Sequence, residues 1–235
     1  MRSLADQTVQ ELGGALSVLT RQKHDHEELD KLLHELGRTD PQQQGPALRR
    51  IYRLVFPHAF AEESVLWPVF RRVLPDGPEL TLRIEQEHQE LNELVTRLES
   101  LAADDPERAR VLTRLQTTLD EDVRDEEEVL LPRVQQQLAV MQLRLLGTAW
   151  ELVRRIAPTR CHPMVSRRPP GNALAALPLS VIDRLRDRVD TAIERSRGRG
   201  HELLVTAGEK LTDVAHRVEH VGIFRRGEDF STSRP

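Results

Sequence analysis

At 235 residues, the chain is long enough for a sizeable hydrophobic core, and its single cysteine, Cys161, excludes an internal disulfide framework and fits a reducing compartment. Charged residues make up 31 % of the chain, no apolar run approaches the roughly 20 residues of a membrane span, and the first residues lack a secretory signal, which excludes a membrane partner and predicts a cytoplasmic location. Residues 1–150 hold 18 Lys and Arg against 27 Asp and Glu, net −9, and with only 3 % aromatic residues in the chain we expect no nucleic-acid partner.

Four helical patterns follow one another in the first 150 residues. Apolar residues recur at intervals of three and four, and loops at 38–46 and 75–78 and a break before Pro106 separate the patterns. The predicted helices cover 4–37, 48–74, 79–101 and 106–134, the last with a continuation toward Arg155. Long amphipathic helices with short connections favour an all-α fold, an up-down-up-down four-helix bundle in residues 1–150.

The rest of the chain has a different character. Residues 157–178 contain five of the fourteen prolines and predict an extended linker. Two helical patterns follow in 179–224, separated by a glycine-rich break at 198–200, and the polar tail 225–235 is predicted to be disordered. Residues 151–235 hold 16 Lys and Arg against 11 Asp and Glu, net +5, so this part is basic where the bundle is acidic.

One stretch of the second helix combines an imidazole and a carboxylate in an otherwise apolar run. His58 and Glu62 are four residues apart, so their side chains share one face of a helix. Residues 58–68 recur in altered form at 122–132, and residues 25–29 recur at 87–91. A duplicated helical hairpin with polar residues on its inner faces is a common way to build a two-metal centre.

The positions of the polar residues along the predicted helices, and the helix faces on which they lie, agree with such a centre. Measured from the predicted helix ends, three histidines and three acids fall in one layer to within about a turn, and each interrupts an apolar stripe. Burying such groups singly costs several kcal/mol, whereas a metal ion neutralises the carboxylates and satisfies their lone pairs. The predicted metal ligands are His26, His58, Glu62, His88, Asp122 and Glu126. Imidazoles mixed with carboxylates favour iron, manganese or zinc over magnesium or calcium, and six donors shared by two ions favour a di-iron centre.

The order of these residues resembles the H…HxxxE…H…HxxxE motif of the hemerythrin-like HHE cation-binding family, over roughly residues 5–140. The resemblance implies a non-haem di-iron centre with bridging carboxylates that meets O2, NO or peroxide. His26 and His88 match the lone histidines, His58 and Glu62 match the first HxxxE, and Glu126 matches the second glutamate. Asp122 departs from the motif, because it stands where the family has histidine.

Asp122 weakens the case for reversible oxygen carriage. An aspartate is anionic and a harder donor than imidazole, so it lowers the reduction potential of the centre. The invertebrate oxygen carriers of the family also have a second histidine on the third helix, where this chain has Asn92. We therefore expect a di-iron protein, with or without an oxo bridge, that acts in the response to O2, NO, peroxide or iron, with manganese or zinc as alternative metals.

Two other functions stay open at this stage, and the sequence does not decide whether the protein is an enzyme. The same site could turn over peroxide in a catalase-like reaction, or the chain could be a metal-regulated helical interaction module whose basic C-terminal part contacts a partner. In either case we expect a monomer.

Several further residues carry weaker signals. His24 lies on a polar face as a minor alternative to His26, and Asp30 forms a His-x-x-x-Asp pair with His26. Residues predicted to be solvated or without special chemistry are Glu63, Glu127, Glu128, His201, His216, His220 and Cys161.

Overall fold

The computed structural model describes residues 2–233, which are helical and contain no strand. The helices are α1 (Val18–Gly37), α2 (Gln44–Ala61), α3 (Trp67–Val73), α4 (Gly77–Ser100), α5 (Pro106–Arg124), α6 (Leu131–Gln137), α7 (Val140–Ile156), α8 (Gly171–Arg195) and α9 (Arg199–Glu219). A π-helical segment, Glu62–Leu66, joins α2 to α3, and a second, Asp125–Leu130, joins α5 to α6. Short 3-10 turns lie at Pro41–Gln43, Gly222–Arg225 and Phe230–Thr232. The predicted all-α class is confirmed; the up-down-up-down order of the bundle stays a prediction.

Local chemistry explains where two of the bundle helices begin. The Ser17 side chain caps α1 by accepting a hydrogen bond from the backbone of Leu19. Asp105 caps α5 in the same way by accepting from the backbone of Glu107, and Pro106 occupies the first helical position, where no backbone donor is needed.

The first helix is shorter than predicted. The pattern favoured a start near Leu4, but α1 begins at Val18, and residues before it form turns. Gly13 and Gly14 have φ angles of 97° and 92°, a left-handed conformation that a continuous right-handed helix does not allow. Leu4 and Leu12 are nevertheless fully buried. These apolar residues are present because they pack against the bundle, not because they belong to a helix.

The fourth helix also ends earlier than its predicted continuation toward Arg155. Leu138 adopts an extended conformation after α6, and the chain restarts as α7, which packs on α1 and α2. Gly147 makes this packing possible, because a Cβ atom there would lie 2.2 Å from the backbone oxygen of Leu16. The expected extension is therefore a separate helix lying against the bundle.

The apolar core of the bundle is split into two clusters by a polar layer. On α1, Leu19 belongs to the first cluster and Leu29 to the second, and His26 lies between them. On α4, Ile84 and Leu91 likewise lie on either side of His88. The α1–α2 and α4–α5 pairs each pack together, so the polar layer is enclosed by apolar side chains on both sides.

The C-terminal part is more helical and more closely packed than its composition suggests. α8 begins at Gly171, inside the predicted linker 157–178, and Pro178 is accommodated within it. α8 packs on α9, and the tail is held to the rest of the chain by an ion pair of 3.0 Å between Arg168 and Asp229. In the structure a short 3-10 turn lies at Phe230–Thr232 and Thr232 is buried, whereas residues 234 and 235 lie outside the described residues; the disorder of 225–235 stays a prediction. The division of the chain into bundle, linker and C-terminal segment stays a prediction.

Within residues 2–233, none of the helices combines the length and the apolar character that crossing a bilayer requires.

Candidate metal centre

The six predicted ligands lie on four neighbouring stretches of helix and meet in the polar layer. His26 comes from α1, His58 and Glu62 from the end of α2 and the first π segment, His88 from α4, and Asp122 and Glu126 from α5 and the second π segment. Glu62, His88 and Glu126 are at most 1 % exposed, and Asp122 is half-buried. The structure therefore brings all six side chains together inside the bundle.

Glu62 lies between two histidines. Its Oε1 atom is 3.1 Å from His58 Nε2, and its Oε2 atom is 3.7 Å from His88 Nε2. The buried Gln22 side chain donates a hydrogen bond of 2.6 Å to Oε1, which orients the carboxylate. One carboxylate thus faces two imidazoles from opposite oxygens, as a bridging ligand does.

Glu126 completes the arrangement from the other side. Its Oε2 atom is 3.3 Å from His26 Nε2, and Asp122 Oδ1 lies 3.4 Å from His88 Nε2. Two groups of ligand atoms within 4.8 Å of one another lie at this centre. The first is His26, His58 and Glu126, and the second is Glu62, His88 and Glu126. Because both groups contain Glu126, the site can hold two ions joined by a shared carboxylate.

Several polar atoms at the centre are buried without a hydrogen-bond partner among residues 2–233. They are Glu62 Oε2, His88 Nε2, Asp122 Oδ1 and both carboxylate oxygens of Glu126. Their neighbours are close enough for charge attraction but not in hydrogen-bonding geometry. Buried polar atoms without partners cost free energy, and a metal ion would satisfy them together, so the residues fit a metal centre.

Both predicted ligand glutamates lie near the start of a π segment. Glu62 is the first residue of its segment, and Glu126 is the second residue of its own. A π-helical turn is wider than an α-helical one and brings in an additional residue, and such turns are frequent at functional sites. As a result, Glu62 and the next residue, Glu63, are both buried, although neighbouring residues of a regular α-helix point about 100° apart. In the second segment Glu126 is buried and the next residue, Glu127, is half-buried.

A second set of carboxylates holds the outer nitrogens of the three histidines. Asp25 accepts from His58 Nδ1 at 3.1 Å, Glu63 accepts from His88 Nδ1 at 2.9 Å, and Glu127 accepts from His26 Nδ1 at 2.9 Å. These contacts direct each Nε2 atom toward the centre and increase its strength as a ligand.

The prediction that Glu63 and Glu127 are solvated is therefore wrong, since it assumed an unbroken α-helix. The sequence did contain a signal, because a second glutamate follows the motif glutamate in both repeats. Glu128 is exposed, as predicted.

The weaker candidates lie away from the centre. His24 is exposed, and Asp30 is exposed and contacts His34 at 3.3 Å. Asn92 is buried, and its side-chain amide donates 2.8 Å to the backbone oxygen of His88, so it supports the helix that carries a ligand.

The charges of the centre shift the pKa values of its members. Burial lowers the pKa of His26, but the adjacent carboxylates Glu126 and Glu127 outweigh it and raise the pKa to about 9. Burial, with the nearby charge of Glu62, raises the pKa of Glu126 to about 8. Carboxylate neighbours also raise the pKa values of His58 and His88 well above their ordinary range, against the effect of burial.

A small cavity of about 20 Å³ adjoins the centre, with room for one water-sized molecule. It is lined by the site residues Asp25, His26, His58, His88 and Asp122 and by the apolar Leu29, Leu54, Val55, Ala59, Leu119 and Val123. One side of the centre therefore faces a mostly apolar space.

Comparison with known proteins places these residues in a family. The sequence model of the hemerythrin HHE cation binding domain matches residues 17–134, which contain all six predicted ligands. An uncharacterized hemerythrin-like protein of Schizosaccharomyces pombe is 27 % identical over 134 residues, 57 % of this chain and 66 % of that protein. A DNA nickase of Nostoc sp. is 27 % identical over 131 residues, 55 % of this chain and 37 % of the nickase. The chain thus spans less than two thirds of each relative's length, and no solved structure matches significantly.

Proposed function

The chain belongs to the hemerythrin HHE cation binding domain family, and from this premise we propose that it is a non-haem di-iron protein acting in the response to O2, NO, peroxide or iron. Glu126 is the observation that carries the proposal, because it belongs to both groups of ligand atoms. In this assignment His26 and His58 would help to hold one ion and His88 and Asp122 the other, with Glu62 and Glu126 as the carboxylates near both.

The residues around the centre prepare it for a small ligand. Iron, when bound, supplies the electrons for reversible or irreversible reaction with a diatomic molecule or peroxide. Asp25, Glu63 and Glu127 hold the imidazoles in place, and the apolar side of the cavity keeps bulk water away from the ligand position. A cavity of this size agrees with a ligand as small as O2, NO or peroxide.

Asp122 favours sensing or peroxide chemistry over oxygen carriage. Its Oδ1 atom lies 3.4 Å from His88 Nε2, and a carboxylate there would stabilise the oxidised state of a bound metal pair more than a neutral imidazole would. A centre that is more easily oxidised releases O2 less readily than a carrier must. Peroxide turnover is the catalytic alternative at the same residues.

Metal content is the direct test of the proposal. We expect the full chain, purified without oxygen, to contain two irons and, after oxidation, to show the near-ultraviolet absorption of an oxo-bridged pair. His88→Ala and Glu62→Ala should lose most of the iron, whereas His24→Ala, an exposed histidine near the site in sequence, should retain it. Full iron content in the first two variants would show that these residues do not bind the metal.

Peroxide separates the catalytic alternative from binding or sensing. Iron-loaded protein is mixed with hydrogen peroxide, and O2 release is followed with an electrode. Sustained O2 release that is lost in His88→Ala would establish a catalase-like enzyme. A single spectral change without O2 release would favour a sensor.

The remaining parts of the proposal concern partners and location. We propose a cytoplasmic monomer without a nucleic-acid partner. The Nostoc relative is named a DNA nickase, but the net charge of −9 in residues 1–150 opposes binding of a polyanion by the shared part of the chain. Sedimentation velocity tests the monomer, and a DNA mobility shift tests the lack of nucleic-acid binding.

A further inference from the structure

A second cluster of metal-binding residue types lies at the end of α9, outside the residues matched by the family. His216, Glu219 and His220 each offer one ligand atom, and these atoms lie within 4.8 Å of one another. Glu219 Oε1 is 3.0 Å from His216 Nδ1 and 3.9 Å from His220 Nδ1, and the two imidazole rings are 4.3 Å apart. The spacing of four residues puts both histidines on one face of the helix.

The carboxylate of this cluster is held in position by a buried histidine. Glu219 Oε2 accepts a hydrogen bond of 3.1 Å from His162 Nδ1, and the other ring nitrogen of His162 is 3.1 Å from Asp183 Oδ2. Asp183 is fully buried and also accepts from the backbone of Thr159. Such outer contacts orient a ligand before an ion arrives, as they do around known metal centres.

One of the histidines is also oriented. His220 Nδ1 donates a hydrogen bond of 2.6 Å to the backbone oxygen of His216. A histidine that binds a metal usually donates a hydrogen bond from its other ring nitrogen to a carbonyl or a carboxylate oxygen. The contact therefore fixes the orientation of the His220 ring beside Glu219.

The cluster is accessible from solvent and adjoins a cavity. The side chains of His216 and His220 are 69 % and 42 % exposed, whereas that of Glu219 is 7 % exposed. All three line a cavity of about 240 Å³ between α9, the segment around His162 and α4. An ion can enter from solvent and still meet a carboxylate that is shielded from water.

Positive charges near the cavity do not oppose a cation strongly, because they are paired. Arg160 lines the cavity but bonds to Asp187 at 3.0 Å and to Asp190. Arg186 lies 3.7 Å from Asp183. These carboxylates offset the guanidinium charges before any ion is bound.

We propose that His216, Glu219 and His220 form a second metal site of this protein, which takes a divalent transition-metal ion such as Zn²⁺. Two imidazoles and one carboxylate are a donor set that Zn²⁺ accepts with water in the remaining position, whereas Ca²⁺ and Mg²⁺ favour oxygen ligands alone. The site is independent of the bundle centre, since it shares none of the six ligands there. The sequence shows the spacing of the two histidines, but the contact that holds the carboxylate is visible only in the structure.

The test is Zn²⁺ binding to the full chain with its bundle centre loaded with iron. Calorimetric titration compares the unchanged protein with His216→Ala, His220→Ala and Glu219→Gln. His201→Ala is the matched control, because His201 lies on the same helix without a carboxylate neighbour in the cluster. We expect one Zn²⁺ per chain in the unchanged protein and the control, and at least about tenfold weaker binding in each of the three variants.

Two outcomes would overturn the site. Equal Zn²⁺ binding in all five proteins would show that the cluster binds no ion, and unchanged binding in Glu219→Gln alone would show that the carboxylate is not a ligand. Far-UV circular dichroism checks that the variants fold. Thermal unfolding gives a second readout, in which Zn²⁺ should raise the midpoint of the unchanged protein and the control but not that of His216→Ala.

Discussion

At the scale of single residues, the candidate centre depends on carboxylates in two shells. Each of three histidines lies between an inner carboxylate at Nε2 and an outer carboxylate at Nδ1, as His88 does between Asp122 and Glu63. In the proposed centre the inner group would serve as a ligand, whereas the outer group sets the direction of the ring. The two roles can be separated by changing the outer residue alone.

Glu63→Gln should weaken metal binding without removing it. The amide keeps the shape and an acceptor oxygen for His88 Nδ1 but loses the negative charge, so the imidazole becomes a poorer donor. We expect a loss of roughly 10–100-fold in metal affinity, measured by competition with a chelator. Glu128→Gln is the control. Glu128 is exposed, so this variant should bind the metal as tightly as the unchanged protein does. Equal affinities for the two variants would contradict an orienting role for Glu63.

Metal uptake should depend on pH. Carboxylates raise the pKa of His26 to about 9, so in the metal-free protein this ring carries a proton at neutral pH that a metal ion must displace. The apparent affinity should therefore rise as pH increases, by about tenfold per pH unit for each displaced proton, and level off above the pKa. Chelator competition between acidic and basic pH measures this slope, and an affinity independent of pH would show that no proton is released.

At the scale of secondary-structure elements, the π segments and the close helix contacts place the site. One π segment contains Glu62 and the other contains Glu126, the predicted ligand glutamates of the two repeats. The two repeats therefore share a backbone conformation as well as a sequence pattern. α7 closes one side of the centre, because Trp150 packs edge-on against His58 with ring centroids 5.3 Å apart. The position of α7 in turn depends on the contact at Gly147.

Gly147→Ala should destabilise the protein. The added Cβ atom would lie 2.2 Å from Leu16 O and 2.6 Å from Val18 N, both backbone atoms, so α7 must move away from α1. We expect the free energy of unfolding to fall by about 1–3 kcal/mol, measured with urea. Gly200→Ala is the control, because no atom of residues 2–233 outside its own helix turn lies within 4 Å of its Cβ position, and it should be neutral or slightly stabilising. A neutral Gly147→Ala would mean that α7 does not pack as closely as described.

At the scale of the whole molecule, the C-terminal part is joined to the bundle by buried contacts. The fully buried Glu85 of α4 pairs with Arg71 and accepts from Arg168 Nε at 2.8 Å. The backbone of His162 donates to Asn92 at 2.9 Å, and Asn92 contacts His88. Residues after the bundle thus support the helix that carries a predicted ligand.

These contacts predict one cooperative unfolding transition. Trp67 and Trp150 are both buried in the first apolar cluster, so their fluorescence reports the bundle, whereas far-UV circular dichroism also reports α8 and α9. We expect the two signals to share one urea midpoint. If the C-terminal part separated from the bundle, the ion pair between Glu85 and Arg168 would be lost. An earlier transition seen by circular dichroism alone would show that the C-terminal helices unfold independently.

The sequence alone was sufficient for the helical class and for the choice of the six candidate ligands. Side chains three and four residues apart share a helical face whatever the rest of the chain does, so a polar residue in an apolar stripe can be recognised locally. The duplication of the motif then identified residues such as His26 and His88 as equivalent. The start of α1 and the end of α6 could not be found this way, because apolar spacing does not distinguish a helix from turns that pack on one.

Only the tertiary structure decided the partners of those residues. Glu63 and Glu127 face histidines because π turns bring them inward, and Glu219 meets His162 because α9 packs beside a distant segment. Contacts between residues far apart in the chain depend on how helices are set against one another, within about an ångström. Local spacing carries no information on that arrangement, whereas packing of the complete core determines it.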